Sequence, residues 1–304
     1  MLPTGIAVND SNKAFFSKLI DENRLISLYD FENREELFDI HRMFKFCLLT
    51  AGKAQKEPII VSGGFYLTRI GHLLDSNRIY TLRTDDFTLL NPNTKTCPVF
   101  RTSRDAQLTT KIYRRCKVLM NDATGENPWK IRFGSMFHMS GDSHLFRTYS
   151  QLTEAGAVKA PNFILNGETY VLLYEGKMIW HYNHHYGTWP TSGERPNTIS
   201  TPPLDELTNP NSSIIPWYWV PQSEVENRLI KTDKDGNIIW KWEHNWMITY
   251  RGLTNASNER TFICSPIPGA NGAGNSSTVV FADCGAMPVA IFLAMVSSLI
   301  FDNL

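Results

Sequence analysis

The chain has 304 residues, 42% of them hydrophobic and 20% charged, with 30 Lys and Arg set against 30 Asp and Glu. That length predicts about two domains, each with a core of its own, and the composition excludes a disordered chain. A neutral total neither requires nor excludes nucleic acid, because DNA binding needs a basic face and not a basic sum.

The five cysteines, Cys47, Cys97, Cys116, Cys264 and Cys284, form no CxxC pair. This pattern predicts a reduced, cytoplasmic protein without a disulfide framework. No basic region precedes an apolar stretch at the start, so no signal peptide is expected. The apolar run 286–301 is short for a membrane span and contains Pro288, Ser297 and Ser298; it is expected to be a buried terminal helix, with no membrane partner.

Residues 2–7 read as a strand running into a loop. Asn9, Asp10 and Ser11 offer N-caps for a helix over residues 12–21, in which Phe15, Phe16, Leu19 and Ile20 recur at helical spacing. Strands are predicted at 24–29 and 44–50. Strand, helix, strand is the grammar of a parallel α/β sheet. Residues 101–115 read as a polar helix carrying Arg101, Arg104, Lys111, Arg114 and Arg115. Pro and Asn clusters mark loops at 91–93, 190–203 and 209–216. Beyond Phe163 the pattern turns strand-like and aromatic, with strands expected at 170–174, 238–242, 246–251 and 260–264. Asp235-Gly236-Asn237 between two apolar runs predicts a hairpin turn.

Six blocks, in order, carry a resemblance: LPTGIAVNDSNKAFF with ISLYDFENREELFDIHRMFKFCLLTAG, then LRTDDFTLLNPNTKTCPVFR, NPWKIRFGSMFHMSGDSHLF, LLYEGKMIWHYNHHYGTW and WMITYRGLTNASNERTFICSPIP. Together they resemble the rear portion of adenine-specific DNA methyltransferases related to the Type IIG restriction-modification enzymes. The resemblance implies an α/β fold: the tail of a Rossmann-like methyltransferase sheet over residues 1–100, then a mixed α+β target-recognition region over 101–304, truncated at its end. It implies methyl transfer from S-adenosylmethionine to adenine in double-stranded DNA, in restriction-modification or phage defence.

The family's glycine-rich cofactor turn and N-P-P-Y type tetrapeptide lie upstream of a segment like LPTGIA. Asn127-Pro128-Trp129 lacks the second proline, and residues 269–274 are glycine-rich but lead into a strand, whereas a dinucleotide fingerprint opens a helix. No catalytic residue and no bound cofactor are therefore expected in this chain. The missing motifs would come from an upstream region of the same protein or from a partner chain. Two rivals remain: a non-catalytic DNA-specificity module, and an unrelated aromatic-rich protein binding a small ligand.

An enzyme that modifies a base extrudes it and holds the ring, often against an aromatic side chain. The resemblance places Phe38, in the loop 34–43, in that role; packing beneath the sheet is the alternative. His41, Arg42 and Lys45 flank the loop and suit phosphate contacts, or a solvated surface. Lys177, His184, Arg251 and Arg260 lie in the family-like blocks and are further candidates for DNA contact. His181, His184 and His185 cluster, but no Cys or carboxylate completes a ligand set, so no metal is expected. Trp217, Trp219, Trp240, Trp242 and Trp246 are expected to pack in a core or groove, with Trp240 and Trp242 on one strand face.

Overall fold

The computed structural model describes residues 1–209, 212–255 and 258–303. It is a mixed α/β structure with several sheets, divided into two compact units, Met1–Pro128 and Trp129–Leu304.

The first unit runs β1 (Leu2–Pro3), α1 (Gly5–Val8), α2 (Lys13–Asp21), β2 (Leu25–Glu32), β3 (Lys45–Ala51), β4 (Ile60–Leu67), β5 (Tyr80–Arg83), α3 (Thr84–Leu90) and α4 (Ser103–Tyr113). The residues after β1 fold as a helical turn, not as the expected loop. None of the expected caps of α2 makes a side-chain cap bond; Asp10–Asn12 is a 3-10 turn leading into the helix, and the Asn12 amide donates to the Gly5 carbonyl at 3.0 Å. Helical spacing does hold: Phe16, Leu19 and Ile20 are buried, while Phe15 points to solvent.

The five strands lie in the order β1-β3-β2-β4-β5. β2 is parallel to β4, while β3 is antiparallel to both β1 and β2. β1 and β2 therefore point the same way, as strand-helix-strand grammar requires, but β3 is wedged between them and the sheet is not purely parallel. Alternation along the strands divides two cores. Leu25, Leu28, Cys47 and Val61 pack with Phe16 and Phe87 on one face; Phe31, Phe46 and Leu67 form a smaller cluster on the other. The predicted polar helix is α4, capped by reciprocal bonds between Thr102 and Asp105. It belongs to the first compact unit, which runs to Pro128.

The second unit contains β6 (Ile131–Gly134), α5 (Tyr149–Glu154), β7 (Val158–Lys159), β8 (Phe163–Leu165), β9 (Glu168–Tyr174), α6 (Leu204–Thr208), β10 (Trp219–Pro221), α7 (Gln222–Arg228), β11 (Ile230–Thr232), β12 (Ile238–Lys241), β13 (Trp246–Arg251), β14 (Cys264–Pro268), β15 (Gly272–Ala273), β16 (Ser277–Ala282) and α8 (Ala286–Val296). The expected hairpin joins β11 to β12, with Gly236 at φ +84° in its turn. The strand expected at 260–264 begins only at Cys264. It is the edge strand of the order β14-β13-β16-β6, where Pro266 and Pro268 withhold no ladder donor that an inner strand would need.

Trp240 and Trp242 both pack on Phe281, at 5.1 and 5.2 Å between ring centroids, as their alternation predicts. The glycines at 269–274 serve close packing: a Cβ at Gly269 would lie 2.7 Å from the backbone of Asn245 and Trp246. Of the predicted loop 209–216, residues 210 and 211 lie outside the described residues. The apolar terminal run forms α8, but it is not buried all round. Val289, Phe292, Leu293 and Val296 face inward, while Met287, Ile291 and Met295 are exposed. Among the described residues no helix is long and apolar enough to cross a membrane.

Candidate functional site

The carboxyl ends of the co-directional strands β1, β2 and β4 meet at one edge of the first unit's sheet. In open α/β sheets this edge is where ligands bind. A cavity of about 380 Å³ opens there, lined by Pro3, Thr4 and Gly5 after β1, Asp30 near the end of β2, Phe65 and Tyr66 on β4, and Lys45 at the start of β3.

Tyr66 reaches this cavity through an irregularity. The β2-β4 register slips between Tyr29 and Phe31, and Tyr66 takes φ +57°. A non-glycine residue in that region is strained, and such strain gathers at functional sites. The ring receives the Lys45 ammonium and the Arg101 guanidinium, each 4.9 Å from its centroid.

Asp30 is 1% exposed. Burial pushes its carboxyl above the usual range, and hydrogen bonds from the Thr4 hydroxyl and the Tyr66 backbone N–H, with the Lys45 charge, pull it part of the way back. Glu32, two residues on and on the same face, behaves oppositely. Burial opposes its ionisation, but Lys45 at 2.7 Å and Arg34 at 2.5 Å prevail and hold its carboxyl low.

The loop joining β2 to β3 rises from the same edge. Asn33, fully buried, organises it: its side-chain amide donates to the carbonyls of Phe38 (3.0 Å) and Ile40 (2.8 Å), and its oxygen accepts from the Phe38 N–H (3.0 Å). Phe38 stands half-exposed, edge-on to Phe46 at 5.1 Å. Met43 and Phe44 are more exposed still. Arg42 donates to the Arg34 carbonyl and lies 3.8 Å from Glu36, and the His41 ring accepts from the Met43 N–H at 3.3 Å. Phe38 and the cavity share an edge but not a face, since Phe38 rests on Phe46 while Lys45, the preceding residue of β3, lines the cavity.

Several candidates of the second unit are held by bonds within it. Lys177 donates to the Asn197 carbonyl at 2.9 Å. Arg251 directs two nitrogens at the Ile179 carbonyl and lies over Trp180 and Tyr186. Arg260 is paired with Asp302 and the Ser297 carbonyl. The guanidinium groups of Arg251 and Arg260 are thus engaged within the unit. His184 and His185 meet edge to face, 4.2 Å between ring centroids; burial, and then the neighbouring His185, lower the His184 pKa to about 4. His181 sits on a tight turn closed between Trp180 and Asn183, and neither of its buried ring nitrogens finds a partner. Among the described residues no group of three His, Cys, Asp or Glu side chains is placed to hold a metal ion.

Sequence reasoning missed Asp30, Glu32 and Tyr66. One signal was available: two acids at alternate positions in the apolar strand LYDFE share a face. The left-handed Tyr66 had none. The fold and site define a two-unit α/β protein with a ligand-sized cavity and an aromatic, basic loop at the carboxyl edge of its first sheet. No protein-family model matches the chain, and no curated protein matches it.

Proposed function

We propose that this chain is the DNA-holding part of an adenine-specific DNA methyltransferase of the restriction-modification type, acting in the cytoplasm. In this reading the first unit is the end of a Rossmann-like sheet and the second a target-recognition region. S-adenosylmethionine and the amine-binding motif belong to a catalytic region upstream or on a partner chain. The observation that carries the reading is Phe38, an aromatic ring held half in solvent on a loop braced by Asn33, with His41, Arg42 and exposed Phe44 beside it. A ring so presented can stack on an extruded base, and the cations beside it can meet phosphates.

The test is binding of fluorescent duplex DNA by the whole chain across a salt series. Affinity should fall linearly in log–log form as phosphate contacts are lost, and Arg42→Glu should weaken it. Absence of salt-dependent binding would refute the proposal. It would turn attention to a second reading, a small-ligand protein, which the cavity of about 380 Å³ over buried Asp30 favours.

A further inference from the structure

We propose that the second unit carries a binding site for a guanidinium group, formed by Trp189, Trp217, Tyr218 and Glu175 and covered here by the chain's own Arg195. The walls are aromatic and steeply inclined to one another: Trp189 and Trp217 lie 6.1 Å apart at 71°, and Trp217 and Tyr218 lie 6.4 Å apart at 81°. The Arg195 guanidinium carbon stands 4.5, 5.6 and 5.8 Å from the three ring centroids. Three π faces around one cation form a cage for a weakly hydrated, planar charge.

Glu175 supplies the counter-charge. It is 7% exposed and takes a hydrogen bond from one Arg195 nitrogen on Oε2. Its other oxygen, Oε1, is buried and finds no partner. A guanidinium presents a fork that matches both carboxylate oxygens. Arg195, tethered in its loop, engages only one of them. A guanidinium free to orient would engage both, so the site is better suited to an incoming group than to its present occupant. Arg195 also comes from an exposed segment without regular structure, residues 192–198, and Lys177 holds the Asn197 carbonyl from below. The ligand class is a guanidino compound, either free or as an arginine side chain of another chain. The inference does not depend on the methyltransferase reading.

The test titrates the whole chain with methylguanidinium, and separately with a blocked tripeptide carrying arginine, following tryptophan fluorescence and hydrogen exchange of residues 192–198. Wild type should bind and lose protection over 192–198 as Arg195 is displaced. Arg195→Ala should bind roughly tenfold more tightly, because the tethered competitor is gone. Glu175→Gln should abolish binding. Arg195→Lys, which keeps the charge but lacks the fork, should also bind more tightly than wild type and carries the test if Arg195→Ala does not fold. Preference for the peptide assigns the ligand to a protein partner, and preference for the free ion assigns it to a small molecule. The proposal is overturned if wild type shows neither binding nor loop release while the Arg195 variants bind, since Arg195 is then a fixed clamp. It is equally overturned if no variant binds.

Discussion

Asn33→Ala tests whether one buried amide holds the loop that presents Phe38. The substitution removes three hydrogen bonds, to the Phe38 N–H and to the carbonyls of Phe38 and Ile40. At about 0.5–1.5 kcal/mol each the gross loss is about 1.5–4.5 kcal/mol. The freed groups belong to exposed loop residues, where water can reach them, which favours the lower half of that range, about 1.5–3 kcal/mol. That corresponds to roughly a 10- to 150-fold rise in the open population of the loop. Native-state hydrogen exchange should show the Phe38 amide losing protection by that factor, while Leu28 and Leu49 in the sheet keep theirs. Asn33→Asp should be worse than alanine, because it keeps the acceptor but turns a carboxylate toward two carbonyl oxygens. The reasoning fails if Phe38 protection is unchanged. It also fails if Leu28 and Leu49 lose protection equally, because the loop would then unfold only with the sheet.

Three further outcomes follow from the same geometry. Phe38→Ala removes a ring that is half-exposed, so it should cost only about 1 kcal/mol of stability. In a reconstituted methyltransferase it should weaken base extrusion roughly five- to 150-fold, read by 2-aminopurine fluorescence beside the melting temperature; a large melting shift with extrusion intact would make Phe38 a core residue. His184 has its pKa lowered from the ordinary 6.5 to about 4 by burial and by His185, so the fold favours its neutral form. Its contribution is therefore present above pH 6.5 and is lost as the pH falls toward 4; melting curves should show this acid sensitivity flattened in His184→Asn, though not abolished, since His181 and His185 are shifted the same way. Gly269→Ala forces a methyl group against the backbone of Asn245 and Trp246, at a cost of about 1–3 kcal/mol in denaturant unfolding, and an unchanged midpoint would show that the neighbouring segment yields.

Local pattern was legible in the sequence because it depends on near neighbours. The spacing of Phe16, Leu19 and Ile20 marked α2, Gly236 marked the hairpin, and the alternation of Trp240 and Trp242 marked a shared face. The site residues Phe38, His41, Arg42 and Lys45 were visible only as a cluster along the chain. Phe38 stands half in solvent and half against Phe46, on a loop braced by the Asn33 amide, and neither contact could be read from the sequence. The wedge of β3 between β1 and β2, the slip that sends Tyr66 into the left-handed region, and the burial of Asp30 beneath Thr4 depend on strand pairings between distant segments. The same holds for the engagement of Arg260 by Asp302 and of Arg195 by Glu175. An arginine in isolation reads as a surface cation available to a phosphate. Only the tertiary structure decides which arginines are already paired, because the partner lies far along the chain and the pairing is set by how the sheets and loops pack.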